Sequence, residues 1–332
     1  MGGDHAPEAL VEGSLVALRA ERDLRLILVG APDRIQPLLA AGGWSGATRL
    51  TLEASEDAIL MGAHPAQAVR SQPRGSISVA VKLVASGQAD ACFSAGNSGA
   101  TMAAGLLHLK RIPGVLRPAI GTVFPTPTGR TLLVDSGAQV DCRPEWLAQF
   151  AQLGSDYAGR VLGIERPRVG LLSNGEESSK GNALVQAAHA LISHLDLGYV
   201  GPVEGNDLVS GRVDVIVTDG FVGNVGLKTA EGVAEAIMSS LREEATVDLR
   251  SRLGALLLLP SLRRLRRRLD WRQVGGAPLL GVRGLVFIGH GRSDAMAVAS
   301  AIRVAAGAVR TGLAEAMQSA LEPSVPVQVL GR

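Results

Sequence analysis

The chain has 332 residues, 46% of them apolar, 3% aromatic and 19% charged, with a formal net charge of +2. That length and apolar share suffice for a large core built from Leu, Val, Ala and Gly, and the near-neutral charge excludes a bulk field for nucleic acid. Two cysteines, Cys92 and Cys142, exclude a disulfide framework and fit a reducing cytoplasm; the opening residues do not read as a leader.

In chain order, Met1-Gly2-Gly3-Asp4-His5-Ala6-Pro7 comes first. Two glycines permit a tight turn with close backbone approach. Asp4 stands where a helix cap would stand, and Pro7 falls in the first turn of a helix expected through Glu8 to Arg19. Free N–H groups at such a turn attract anions. A turn of this kind follows a buried strand, so an N-terminal strand is expected to be missing ahead of Met1.

Short apolar runs then alternate with helical patterns. Strands are expected at Leu24–Val29, Arg49–Glu53, Asp90–Ser94, Ala119–Phe124, Thr131–Asp135, Arg168–Ser173, Val213–Thr218 and Leu285–Gly289. Helices are expected at Pro7–Arg19, Pro32–Ala40, Ser76–Ser86, Ser98–Leu109, Pro144–Tyr157, Asn182–His194, Asn224–Leu241 and Asp294–Val309. The alternation implies an α/β fold in three layers, α/β/α, with a mostly parallel sheet covered on both faces. No linker divides residues 1–332, so a single catalytic α/β domain is expected.

Most strands run straight into Gly, Asn, Asp or Ser, as in Ser94-Ala95-Gly96-Asn97-Ser98-Gly99, Asp135-Ser136-Gly137-Ala138, Ser173-Asn174-Gly175-Glu176, Thr218-Asp219-Gly220 and Gly289-His290-Gly291. Ligands of open α/β sheets sit beyond the carboxyl ends of the strands. This many polar, glycine-rich loops predicts one convergent site at that edge.

The stretch from about 242 to 276 breaks the pattern. Leu253, Leu256, Leu257, Leu258, Leu259 and Pro260 predict an apolar tip. Leu262, Leu265 and Leu269 follow at helical spacing among Arg263, Arg264, Arg266, Arg267 and Arg268. A projecting amphipathic arm is expected, one side of a helical hairpin. A subunit interface, an anionic lipid surface or an acidic protein would each suit it. The apolar run from Gly254 to Pro260 is too short to span a bilayer.

Several motifs are absent or misplaced. Gly289-His290-Gly291-Arg292-Ser293-Asp294 imitates a dinucleotide loop but lies too near the C-terminus for the strand that would present a ribose-binding acid. No P-loop and no nucleophile elbow occurs. His189 and His194 are five apart, off one helical face. No metal site and no cofactor is expected. Glycine loops, helix starts, Lys180, Asn97 and Asn182 remain, and they suit holding an oxyanion.

Taken together, these residues make the chain resemble the phosphate acyltransferases of the PlsX type from end to end. The resemblance rests on the opening Met1–Pro7 turn, Ser94–Ala100, Gly175-Glu176-Glu177 with Lys180-Gly181-Asn182, Asp219-Gly220-Phe221-Val222-Gly223-Asn224 with Lys228-Thr229, Gly275–Gly281 and His290-Gly291. It implies transfer of a fatty acyl group from acyl–acyl carrier protein to inorganic phosphate, the product feeding glycerol 3-phosphate acylation in phospholipid synthesis. It also implies an isocitrate/isopropylmalate dehydrogenase-like fold and a cytoplasmic homodimer touching the membrane peripherally, alongside the downstream acyl-phosphate glycerol-3-phosphate acyltransferase. A coenzyme A-dependent phosphotransacetylase and a non-catalytic membrane scaffold stand as alternatives. The sequence departs from the family in lacking the short strand before Met1, in Ser98 where Thr is common, in Ser136 and Gln139, and in Ser173-Asn174 before Gly175.

A thiolate leaves without strong acid help and phosphate needs little general base, so the chemistry asks mainly for positioning. The residues expected to act are Asp4, His5, Lys180 and Asn182. Those expected to bind phosphate or thioester are Gly2, Gly3, Gly96, Asn97, Ser98, Gly99, Asp219, Gly220, Asn224 and His290. Leu257, Leu258, Arg263, Arg264, Arg267 and Arg268 are expected to meet carrier protein or membrane.

Overall fold

Strand and helix alternate as expected in the computed structural model, which describes residues 1–44, 49–56, 58–268 and 270–319. The elements are α1 (Glu8–Ala20), β1 (Leu26–Gly30), α2 (Pro32–Ala41), β2 (Leu50–Ala54), α3 (Pro65–Ser71), α4 (Ser76–Ala85), β3 (Ala91–Ser94) and α5 (Ser98–Ala104), which a π-helical turn extends over Gly105–Leu109. Then come β4 (Ala119–Thr126), β5 (Gly129–Val134), α6 (Pro144–Arg160), β6 (Arg168–Leu172), α7 (Ala183–Ile192), β7 (Gly198–Val203), α8 (Asp207–Ser210) and β8 (Val215–Val217). The chain continues through α9 (Gly220–Glu244), α10 (Leu249–Arg268), β9 (Ala277–Leu280), β10 (Leu285–Ile288), α11 (Ala295–Arg310) and α12 (Leu313–Ser319).

The main sheet runs in the order β3-β10-β9-β4-β5-β8-β6-β7, and β1 and β2 form a separate parallel pair. Its core is aliphatic, with a few rings at the deepest points. Leu147, Phe150, Leu153 and Tyr157 of α6 pack on Leu132, Val134, Val215 and Val217 of the strands. Their spacing of three and four places all four on one helical face. On the opposite face, Leu133, Val203 and Ile216 meet Leu227 and Ala230 of α9.

The strand directions correct one expectation. β3 and β10 are parallel, β9 is antiparallel to both β10 and β4, and β5 is antiparallel to β4 but parallel to β8. Three reversals put the carboxyl ends of β3 and β10 at one edge of the sheet and those of β5, β8 and β6 at the other. The glycine-rich loops therefore form two groups, not one row at a single edge.

Other expectations also change. Asp4 does not cap α1: the cap position belongs to Pro7, which has no side-chain cap bond. β7 and β9 were not expected, because glycines and a proline interrupt Gly-Tyr-Val-Gly-Pro-Val and Pro278 interrupts the other. β7 absorbs its irregularity in a bulge, with Val169 opposite Tyr199 and Gly170 opposite Gly201. α9 runs unbroken from Gly220 to Glu244, so the arm expected from about 242 continues directly from a helix that starts at the sheet. Leu253 to Pro260, expected as an apolar tip, are helical rather than a loop. They lie inside α10, where Leu and Arg favour helix strongly enough to carry Pro260 within it; the turn between the helices is 245–248. Leu269, expected on the arm's apolar face, lies outside the described residues, as do the side chains of 266–268.

Candidate active site

The first loop group gathers at the carboxyl ends of β3 and β10. The Asp4 N–H donates to the Gly291 carbonyl at 2.7 Å, and Ser76 Oγ donates to the Met1 carbonyl at 2.9 Å. Gly2 and Gly3 have φ of +126° and +99°. A β-carbon on Gly3 would stand 3.1 Å from the carbonyl oxygens of both Ala95 and Gly291, so glycine lets three strands of backbone meet. Asp4 and His5 are exposed on the outer side of this junction.

Asn97 sits beneath it, only 6% exposed. Its Oδ1 accepts from the Ala100 N–H at 2.9 Å and so caps α5. Its Nδ2 donates to the carbonyls of Leu60 and Met61 at 3.1 and 3.0 Å. The amide is thus occupied by the protein, and the Gly96 N–H donates to Ser94 Oγ at 3.2 Å, which leaves the N–H groups of Ser98 and Gly99 to face outward from this loop. Ser98 is exposed at the helix start, where the first N–H groups have no intrahelical partner.

The second group lies at the other edge. Asp135, fully buried, was not singled out from the sequence. Its carboxylate accepts from the N–H groups of Ile120, Gly137, Ala138 and Gln139 at 2.7–3.1 Å. Burial pushes its pKa above the usual carboxylate range, and those N–H groups pull against the rise. The loop it ties down receives the start of α9: the Gly220 N–H donates to Gln139 O at 2.7 Å. Asp219 Oδ1 caps this helix from the Val222 N–H at 2.8 Å. Asn224 faces Gly137, its Cβ 3.7 Å from where a β-carbon on Gly137 would stand.

Lys180 and Asn182 belong to this second edge, after β6. Lys180 is exposed, its stem folded over Gly175. Asn182 caps α7, Oδ1 accepting from the Val185 N–H at 2.9 Å.

α9 joins the two groups. Its glycine-rich start rests on the Asp135 loop, and its next turns reach the His290 loop. Glu231 Oε1 stands 4.0 Å from His290 Nε2 and also accepts, through Oε2, from Lys228 Nζ at 2.8 Å. Arg292 pairs with Glu235. Burial lowers the His290 pKa, with Glu231 and Asp4 opposing and Arg292 and Lys228 adding to the drop. Its imidazole is accordingly neutral near pH 7. Seven residues separate Asn224 from Glu231, about 10 Å along a helix axis at ~1.5 Å per residue. The candidate site is therefore elongated, with donors at both ends.

The arm itself is bare. Leu257 is 82% exposed, and Leu253, Leu256, Leu258, Arg263 and Arg264 are exposed with it. Among the described residues no helix is long and apolar enough to cross a membrane. Neither cysteine offers a ready nucleophile: burial pushes both thiols up to about 12, at Cys142 with added repulsion from Asp135. The loops present N–H groups at helix starts, an exposed lysine and an imidazole, residue types that suit an anion.

Residues 1–316 match the family described as fatty acid synthesis protein. A phosphate acyltransferase from Anaeromyxobacter sp. (strain K) is 48% identical over 324 residues, 98% of this chain and 89% of that protein. One from Heliobacterium modesticaldum is 46% identical over 99% of this chain and 97% of that protein. Among solved structures, a phosphotransacetylase from Streptococcus pyogenes superposes with a TM-score of 0.64 at 19% identity, covering 92% of each chain. The EutD phosphotransacetylase from Staphylococcus aureus gives 0.61 at 18% identity, covering 91% of this chain and 92% of that one. The fold of these two enzymes is the fold of this chain.

Proposed function

This chain belongs to the phosphate acyltransferase family, and on that footing we propose that it transfers a fatty acyl group from acyl carrier protein to inorganic phosphate. A phosphate oxygen bonds to the thioester carbon, the carbon–sulfur bond breaks, and the electron pair leaves on the carrier's sulfur, which takes up a proton. Acyl phosphate and free carrier protein result, the former an activated acyl donor for glycerol 3-phosphate in phospholipid synthesis. The single observation that carries the reading is the 48% identity, over 98% of the chain, to a protein named for this reaction class.

In this reading the backbone of Gly2, Gly3, Ser98 and Gly99 receives phosphate, with Asp4 and His5 orienting it, and Gly96 admits the close approach of Gly2. Lys180 and Asn224 reach the forming oxyanion from the second loop group, where Gly220 fixes the start of α9 through its bond to Gln139. Asn97, Asn182 and Asp219 shape the loops as caps. Orientation of two bound reactants contributes about 7–11 kcal/mol, and each fixed oxyanion donor about 3–4 kcal/mol. A neutral His290 suits the sulfur's proton better than it suits a dianion. The exposed leucines and Arg263, Arg264, Arg267 and Arg268 of the arm serve the carrier protein, a second subunit and a peripheral contact with the cytoplasmic face of the membrane. An acidic carrier would find the arginines by long-range attraction, which salt screens.

The test is phosphate-dependent thiol release from long-chain acyl carrier protein, the acyl phosphate trapped with hydroxylamine. Release from coenzyme A thioesters alone would overturn the carrier. A KM for the carrier that is insensitive to salt would overturn the electrostatic docking. Lys180→Ala should lower kcat by about 10²–10³ with an unchanged melting temperature, in line with loss of one oxyanion donor. Near-normal turnover would remove Lys180 from the site.

A further inference from the structure

We propose that Leu60 and Met61 form the lip over which the acyl chain leaves the site, and so set the preference for long chains; this rests on the acyl-transfer reading above. The turn they occupy is firmly held. Ile59, 3% exposed, anchors it in the core, and the Ala63 N–H closes it on the Leu60 carbonyl at 3.1 Å. Yet Leu60 is 78% exposed and Met61 57%. Two large apolar side chains held out in water forgo the gain of burial.

Their position gives them a use. The buried Asn97 amide spends both N–H bonds on the carbonyls of these two residues. The same side chain that caps α5 therefore fixes the turn, tying the lip to the Gly96–Ala100 loop. Met61 Cε lies 3.6 Å from where a β-carbon on Gly291 would stand, and the Asp4 carboxylate lies 3.5 Å from that same point. Pro65, just beyond the turn, closes on Gly99: a β-carbon there would stand 2.7 Å from its Cγ. The lip thus overlooks the loops that take phosphate. A thioester carbon brought to that phosphate must send its methylenes outward, and past Leu60 and Met61 they shed water. An unbranched thioether adapts to chains of different length.

The experiment compares binding of palmitoyl- and butyryl-carrier protein by the double variant Leu60→Ser/Met61→Ser. Both residues are exposed, so the melting temperature should hold. Palmitoyl binding should weaken about tenfold, as the loss of a few buried methylene contacts implies, and butyryl binding should change less than about twofold. Met61→Leu alone, which keeps the apolar surface, should retain the wild-type preference. Equal weakening for both carriers, or none for palmitoyl, overturns the lip. Because binding is read without turnover, a protein that binds both carriers but makes no acyl phosphate refutes the reaction and not the lip.

Discussion

Helices α6 and α9 are held to the same sheet by opposite means. Along its 17 residues α6 buries Leu147, Phe150, Leu153 and Tyr157 together with Ala151, Gly154 and Ala158. α9 has 25 residues, and its only fully buried positions are Gly220 and Gly223. The first is held by apolar area, the second by backbone fit at its start, a partial apolar stripe and an ion pair from Glu235 to Arg292 of the His290 loop. α6 needs to be immobile, because the strands that carry the loops rest on it. α9 instead touches both loop groups and continues into a bare arm, so whatever engages the arm is mechanically connected to the site.

The largest effects should separate these two modes. Phe150→Ala in α6 should cost about 3–5 kcal/mol in urea unfolding, the usual toll of a deleted core ring. Leu257→Ala on the arm, 82% exposed, should stay within about 0.5 kcal/mol for an isolated chain. A comparable loss at both would erase the contrast and show that the arm is packed in solution, against a second copy.

Two glycines of α9 sharpen the contrast within a single helix. A β-carbon on Gly223 would overlap the Asp135 carbonyl oxygen, whereas one on Gly232 has nothing within 4 Å. Gly223→Ala should therefore destabilise by about 1–3 kcal/mol and depress acyl transfer, because the helix must lift off the Asp135 loop. Gly232→Ala should stabilise by about 0.5–1 kcal/mol and leave turnover alone. Equal behaviour of the two would mean that α9 is not docked through its first turn.

These contrasts mark what could be read in advance. Element type and order came through wherever periodicity was clean, as in α6 and β5. The mostly parallel sheet came through too, but the reversals inside it did not, because they turn on β9, a four-residue strand whose Pro278 hides it, and on the β4–β5 hairpin. Residue type also told where loops meet helices but not which atoms stay free. Asn97, Asn182 and Asp219 look like ligands in sequence, and all three spend a side-chain oxygen on a helix start. Asp135 passed unnoticed for the converse reason: a lone acid after a strand gives no pattern, and only folding brings four N–H groups around it.

Asp156 tests α6 itself. Its pKa is raised to about 6 by burial, with Arg160 pulling it down only in part, and among the described residues Oδ2 has no hydrogen-bond partner. The folded state thus holds this proton more tightly than the unfolded chain does. Stability is unaffected while both forms are protonated, below pH ~4, and falls as pH rises towards 6, where the unfolded carboxylate ionises first. The full shift sets a ceiling near 3 kcal/mol, and the group's partial exposure to water brings the expected penalty at pH 7.5 to about 1–2 kcal/mol. Asp156→Asn should recover that amount at pH 7.5 and nothing at pH 3.5. A gain of the same size at both pH values would place its origin in packing, and no gain at either would mean that the carboxylate is solvated on α6 after all.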